Sequence, residues 1–536
     1  MMKSSLDGWR NFRHTRGRKV EPSLSQTSLL GKWISPMLQN AKKALKLESV
    51  NTSAEGHVSQ IRTLVRSSAI YALPSLVLPL VTLVLAPFLT HTLSRTDYGV
   101  LAVLSTAITL MVGLTQLGLN NAFFRAYGYD YESQKDRMAA LSTVVVLLSF
   151  SSIPFTITAM IAAPWLSTLL FNNIAYSGPV SLAALVILLQ NLTVPGLSWL
   201  RAESRASYYA ALSIVNLLVN LGATVVLVGT LQMGITGALI AMAGGYAVVV
   251  VCTLPVVLLR AGLHHRFDIA WNLLSFGLPL VSNLVSIWVL QLSDRYLLSR
   301  LGSLSQTASY TVAYSLGGIL GVVILSPFSL AWPTTMFAIA KRADAKHIYR
   351  LVFRWYSIFL LFASLGLLFV SISALYIFFP PSYYSAMPVI PIVSLSIMFF
   401  GIYSYFTVGI SIQRKTWFAV ILTTISALAN VGLNIILIPL YGSIGAAVST
   451  LIAYTLLALM GYIVNQRLYP IPFQLGIFFV ALIVGIGLDV GNSFMLQTLK
   501  IHGVYVIATY LCTLSLYGGF LIFLGKYPTS NHKHVY

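Results

Sequence analysis

Charge is what this sequence has least of. It carries 13 acidic and 33 basic residues in 536, so charged side chains make up 9% of the chain, against about 25% in soluble globular domains. With 57% hydrophobic residues and a mean hydropathy of +0.82, so thin a polar cover cannot solvate one folded core. A water-soluble single core is excluded, and much of the apolar surface has to face lipid. Cysteine is nearly absent: Cys252 and Cys512 both lie inside apolar runs, which leaves no disulfide framework and no metal-ligand spacing. No GxxxxGK[ST] phosphate loop occurs, so this chain does not carry its own ATP-driven motor. The first long apolar run begins near residue 67, too far along and too long for the pattern of a cleaved signal peptide.

What is abundant is uninterrupted hydrophobicity. Runs such as LVLPLVTLVLAPFL (76–89) show no period-two alternation, which argues for helices and against a lipid-embedded barrel. Each run of about 18 residues or more reaches across a ~30 Å hydrocarbon layer as a helix. Fourteen such spans are expected: 67–91, 98–121, 139–163, 178–199, 207–230, 235–259, 273–298, 307–335, 351–378, 385–410, 416–440, 443–465, 472–489 and 503–525. The expected fold is an all-α polytopic membrane protein. Apart from Asp294 and Arg295 in the seventh span, the apolar runs read as free of ionised side chains.

The basic residues set the topology. Loops after even-numbered spans hold Arg125, Lys135, Arg137, Arg201, Arg205, Arg260, Lys341, Arg350, Arg414 and Arg467, whereas the opposite side has only Arg95, Arg300 and Lys500. The positive-inside rule then places both termini in the cytoplasm. It also accounts for most of the +20 net charge without a nucleic-acid partner. Residues 1–64 form a separate basic extension, in which SPMLQNAKKALKL (35–47) reads either as a surface helix or as a disordered tail.

The chain repeats itself. YALPS (71–75) aligns with FGLPL (276–280) at an offset of 205, and Leu93-Ser94-Arg95 falls on Leu298-Ser299-Arg300 at the same offset. RASYYA (205–210) matches RKTWFA (414–419) at 209, Asn220-Leu221-Gly222 matches Asn430-Val431-Gly432 at 210, and MGITGALI (233–240) matches YGSIGAAV (441–448) at 208. Five matches in order predict two six-helix lobes, residues 65–262 and 263–468, followed by two appended helices and a tail in 469–536. Six is even, so the repeat is parallel, and two such lobes enclose a cleft that can alternate its access.

Asp294 has no counterpart in the first half, where Leu89 occupies the equivalent place. A lone charge at mid-bilayer costs about 2.5–3.5 kcal/mol on insertion scales, so it needs a partner or an interface. At 1.5 Å per residue Asp294 lies about 30 Å along its span, which leaves snorkelling to the outer interface open; Arg295 is read as its interfacial neighbour. The other reading is a site. Asn430 and Asn434 share one face of helix 11 as an i, i+4 pair, and Thr450 lies on helix 12. A carboxylate, two amide oxygens and a hydroxyl offer hard ligands to a small cation, or a desolvated carboxylate that takes a proton.

Certain segments carry a family resemblance: LSRTDYGVLAV (93–103), GLNNAFFRAYGYD (118–130), LQLSDRYLLSR (290–300) and NVGLNIILIPLYGSIGAA (430–447). Over about residues 65–526 the chain resembles the MOP (multidrug/oligosaccharidyl-lipid/polysaccharide) exporter superfamily, more closely the Wzx-type polysaccharide flippases of bacteria. The resemblance implies a V-shaped cleft between two lobes, and a substrate built on polyprenyl diphosphate, usually undecaprenyl, in O-antigen or exopolysaccharide synthesis. It also implies an inner-membrane location, membrane lipids as surroundings, and polymerase or co-polymerase assembly partners. In related lipid II flippases an acid on helix 7 joins residues of helices 11 and 12 in a sodium site. Asp294, Asn430, Asn434 and Thr450 occupy positions similar to that site. Asn434 stands where those relatives often carry an acid, which leaves proton coupling open beside sodium. The middles of helices 1 and 2 lack the arginines of lipid II carriers, which disfavours lipid II itself.

A diphosphate is held best by Arg or Lys. Arg66 and Arg354, each at the inner end of a helix, are the leading candidates, followed by Arg125, Arg201, Arg205 and Arg350 at the inner mouth. Tyr403 and Tyr405 are candidates for stacking on sugars, or else packing residues. The expected activity is ion-coupled flipping, not catalysis, and no cofactor is called for. The rival is a MATE-type antiporter, which usually keeps an acid on helix 1; span 67–91 has neither Asp nor Glu. A membrane glycosyltransferase or polymerase would need a large outer loop with catalytic residues, and the outer loops here are short.

Overall fold

The computed structural model of the chain describes residues 84–263, 266–498 and 504–526. The basic extension, most of the first span and Arg66 lie outside the described residues. Among these residues every regular element is helical, because lipid offers the backbone no partner and a helix satisfies its own N–H and C=O groups.

Residues 84–92 end the first span, α1. The rest of the first half comprises α2 (Arg95–Thr115), α3 (Leu119–Arg125), α4 (Gln134–Ile161), α5 (Ala163–Phe171), α6 (Ser177–Ala202), α7 (Ala206–Thr224) and α8 (Gly234–Ala261). The second half comprises α9 (Phe267–Leu301), α10 (Leu304–Gly317), α11 (Ser326–Ala340), α12 (Ala345–Phe378), α13 (Val389–Phe406), α14 (Val408–Ile412) and α15 (Trp417–Leu468). The appended pair is α16 (Leu475–Thr498) and α17 (Val504–Lys526). Among the described residues eleven helical elements are long and apolar enough to cross a membrane, with α15 counted once, and a twelfth if Leu304–Gly317 and Gly321–Pro333, bent by 40°, form one span.

At 52 residues, α15 would be about 80 Å long if straight, far more than one crossing needs. It breaks at Gly442, whose φ of 56° and ψ of −129° are non-helical. Only glycine adopts that conformation without strain, so α15 is two helices joined at this one residue, in line with the two spans drawn at 416–440 and 443–465. The thirteenth span was drawn to end at 489, but α16 continues to Thr498. Asp489 therefore sits inside an apolar helix, an exception to the expectation that Asp294 and Arg295 stand alone.

The repeat is visible in backbone conformation. Gly234 and Gly442, 208 residues apart, both have positive φ (59° and 56°) at the entry to the last helix of each half. Ser204 and Arg414 likewise share φ near 55–57° just before α7 and α15. Ser94 caps α2 by accepting from the Asp97 N–H, and Ser303 caps α10 by accepting from the Gln306 N–H, the serine-x-x-acid or amide pattern that satisfies orphan donors. These caps are 209 residues apart, four more than the 205 of the preceding match, so one loop accounts for the drift in offset.

The two halves meet chiefly along α2. At one end Gly99 touches the backbone of Leu304, so closely that a Cβ there would lie 2.1 Å from its carbonyl oxygen. At the other end Gly118 (φ 70°) lies against Gly277, where a Cβ would come within 2.2 Å of the carbonyl oxygen. Polar contacts lie beyond these points: Arg95 Nη2 donates to Ser309 Oγ at 2.7 Å, and Arg266 Nη1 meets Asp136 Oδ1 at 2.5 Å. Between them the halves separate enough to leave a cavity.

Candidate ion and substrate sites

Asp294 is enclosed, with 1% of its surface exposed, and Asn430, Asn434, Thr450 and Tyr310 are fully buried around it. The four residues singled out in the sequence are therefore neighbours, drawn from α9 and the two arms of α15. Asn434 Nδ2 donates to Asp294 Oδ1 at 2.7 Å. Asp294 Oδ2 accepts from Tyr310 Oη at 2.7 Å and from Thr450 Oγ1 at 2.6 Å. The Thr450 hydroxyl also lies 3.1 Å from Ala446 O; its one proton goes to the nearer, charged acceptor. Asn434 Nδ2 further reaches Asn430 Oδ1 at 3.1 Å, and Asn430 Nδ2 points to Thr450 Oγ1 at 3.4 Å. Among the described residues no Lys or Arg forms an ion pair with Asp294. Snorkelling to an interface is excluded for this side chain, because neighbouring helices cover it.

Neutral donors alone meet the carboxylate, while Asn434 Oδ1 is buried with no partner. Rotating the Asn434 amide exchanges its N and O. The amide oxygen then faces the carboxylate, an arrangement that demands a cation or a proton between them. The residues present thus fit a small monovalent cation, which Asp294, Asn430, Asn434 and Thr450 would hold through oxygen. Sequence reasoning missed Tyr310. The available signal was the short turn from α9 to α10, which brings a residue 16 positions on back beside Asp294.

Arg295 is corrected by the structure. Successive residues on a helix point about 100° apart, so while Asp294 turns into the second half, half-buried Arg295 lines the cavity between the halves. Its guanidinium carbon sits 4.8 Å from the centre of the Tyr314 ring, within cation–π range. The cavity has a volume of about 380 Å³. The first half contributes Leu89, Tyr98, Ser105, Thr106, Thr109, Asn220 and Thr224, and the second Leu292, Arg295, Thr311 and Ser315. Among the described residues Arg295 is the charged one in that wall. Trp288 Nε1 donates to Thr106 O at 3.0 Å, tying α9 to α2 beside it.

Among the described residues the other candidate arginines do not converge on this cavity. Arg354 Nη2 donates to the Leu524 carbonyl at 2.7 Å, holding the end of α17. Arg125 lies 3.4 Å from Asp130 and over the Phe276 ring. Arg201 covers Phe124 and Tyr209, Arg205 covers Trp199, and Arg350 reaches His347 at 3.0 Å. Tyr405 is fully buried, stacked 4.8 Å from Trp332, with its hydroxyl on Tyr349 O. Tyr403 packs on Gly461. Both are core residues away from the cavity wall.

Paired halves around a cavity, with a buried acid on the helix that borders it, make up a polytopic helical membrane protein. The profile of a family described as polysaccharide biosynthesis protein matches residues 64–339, just over half of the chain, and the chain belongs to this family. Solved structures with the same fold include the lipid II flippase MurJ in an inward closed conformation, with a TM-score of 0.63, 16% identity, and coverage of 85% of this chain and 99% of that one. An inward-facing multidrug resistance MATE transporter follows at 0.59 and 15%, covering 76% and 97%. A MATE protein in complex with MaL6 aligns at 0.53 and 14%, covering 76% and 95%. No curated protein sequence matches the chain.

Proposed function

We propose that this protein flips a polyprenyl-diphosphate-linked oligosaccharide across the bacterial inner membrane, in O-antigen or exopolysaccharide synthesis, by ion-coupled alternating access. In this reading fourteen spans form lobes 65–262 and 263–468, with residues 1–64 and both termini cytoplasmic and the remainder, 469–536, appended. The observation that carries it is the pairing of a buried, oxygen-rich acid site with the adjacent cavity between the halves. The family membership supports a polysaccharide cargo.

The chain's own residues then divide the work. Asp294, Asn434, Asn430 and Thr450 bind the coupling ion, sodium or a proton. The hydroxyls and amide of the cavity wall hydrogen-bond the glycan, while the lipid tail stays in the bilayer. The glycine contacts at the two ends of α2 act as the inner and outer closures. They are backbone on backbone, so separation at one end leaves no side chain to repack.

The test is the membrane face on which lipid-linked oligosaccharides accumulate in a strain lacking the protein. Complete units held on the cytoplasmic face are expected. Unchanged amounts and sidedness would overturn the reading and put cation-coupled multidrug antiport in its place.

A further inference from the structure

Asp294 and Arg295 are consecutive, and the helix sends them to opposite destinations: a sealed acid site and an open cavity. The structure also joins them by a second route. Tyr310 donates to Asp294 at 2.7 Å. One turn further along α10 the Tyr314 ring lies 5.9 Å from that of Tyr310 and carries the Arg295 guanidinium on its face at 4.8 Å. The acid, the two tyrosines and the cation form a closed loop of contacts. Around Arg295 the cavity wall offers hydroxyls and an amide, Thr109, Asn220, Thr311 and Ser315, and among the described residues no acid that would occupy the guanidinium. A guanidinium with no hydrogen-bond partner among the described residues, facing a cavity that carries these hydroxyls in a partly apolar wall, is built to receive an oxyanion.

We propose that Arg295 is the anion-binding residue of the cavity, taking a phosphate or diphosphate group, and that occupancy of Asp294 by a cation sets its affinity. The sign follows from electrostatics in a poorly screened interior. An ionised Asp294 attracts Arg295 and repels an incoming anion. A cation bound at Asp294 cancels both effects, so the anion binds more tightly, and by linkage the anion tightens the cation equally. Tyr314 is a positioning residue that keeps the guanidinium beside the acid on one side and the cavity on the other. The inference rests on the reading that this cavity carries a lipid-linked anion. It departs from placing the diphosphate on Arg354 or Arg125, which are engaged elsewhere.

The experiment measures binding of farnesyl diphosphate and of inorganic pyrophosphate to the full-length purified protein in lipid nanodiscs, in sodium gluconate and in N-methylglucamine gluconate. For the native protein, sodium is expected to tighten binding of both probes about tenfold, within the usual range of coupling between sites. Arg295→Gln loses at least as much affinity in either buffer, and Arg295→Lys retains most of it, which shows that the fold is intact. Asp294→Asn binds tightly with or without sodium, and Tyr314→Leu shrinks the sodium effect more than it weakens binding in sodium. Native-like binding of pyrophosphate by Arg295→Gln would overturn the anion site. Loss confined to the farnesyl probe would also overturn it, since the chain and not the phosphate would then be recognised. A sodium effect that survives in Asp294→Asn would overturn the linkage. These outcomes are independent of the sidedness assay: a carrier of another anion keeps the linkage and fails that assay, and a flippase lacking this site does the reverse.

Discussion

The same stretch of the repeat has been put to two uses. In the second half, Asn430 and Asn434 are fully buried and bonded to one another and to Asp294. In the first half the equivalent residues are Asn220 and Thr224. There Thr224 turns its hydroxyl back onto Asn220 O at 2.7 Å, and both side chains line the cavity. The acid's counterpart, Leu89, also lines it. The leucine-for-acid difference is joined by Thr224 in place of Asn434 and, at the 208 offset, Met242 in place of Thr450. With an acid present, three donors from three helices turn inward to satisfy it. Without one, the polar side chains of the first half face the cavity, where water or a glycan can meet them. A duplicated architecture thus gains one ion site and one cavity wall from nearly the same helix positions.

The most severe way to erase this difference is Asp294→Leu, which makes the second half like the first. It leaves the Tyr310 hydroxyl an unsatisfied buried donor at about 1–3 kcal/mol, and leaves Asn434 and Thr450 only their longer bonds to Asn430 Oδ1 and Ala446 O. Both transport and the melting temperature in detergent should collapse. Asp294→Asn keeps the shape and much of the hydrogen bonding, so melting should stay close to native while ion-dependent transport is lost. If transport by Asp294→Asn still followed the sodium or proton gradient, the second-half site would not be the coupling site.

The converse change, Leu89→Asp, puts an acid in the first half. It should cost about 2.5–3.5 kcal/mol of insertion energy, read as reduced yield in the membrane fraction. No second ion dependence is expected, because Thr224 is committed to Asn220. A new, saturable sodium effect on melting in this variant would mean that the acid alone makes the site.

Tyr310→Phe removes one hydrogen bond to a charged group, worth about 1.5–3 kcal/mol. It should weaken ion binding about tenfold or more, with the fold retained, as measured by sodium-dependent melting. The smallest effect is expected from Arg354→Gln. Its bond to Leu524 O steadies α17, so a loss of about 1 kcal/mol in stability should come with transport within about threefold of native. A large transport defect at normal stability would return Arg354 to the substrate path.

Several features were legible without coordinates because their causes are local. Lipid requires backbone groups to be paired within a segment, so long apolar runs could only be helices, and the repeat showed in matched segments because each half obeys the same constraints. Asp294 stood out because a charge in an apolar run is costly. Asn430 and Asn434 shared a face because the helical period is a property of the chain itself. Which surface each face meets is not local. The tertiary structure alone turned Arg295 toward the cavity, brought Tyr310 beside the acid, spent Arg354 on the end of α17, and sealed Tyr403 and Tyr405 in the core. It also decided that α16 runs on to Thr498 with Asp489 inside it. A helix determines the angle between its side chains, but the neighbours packed against it determine what each angle is worth.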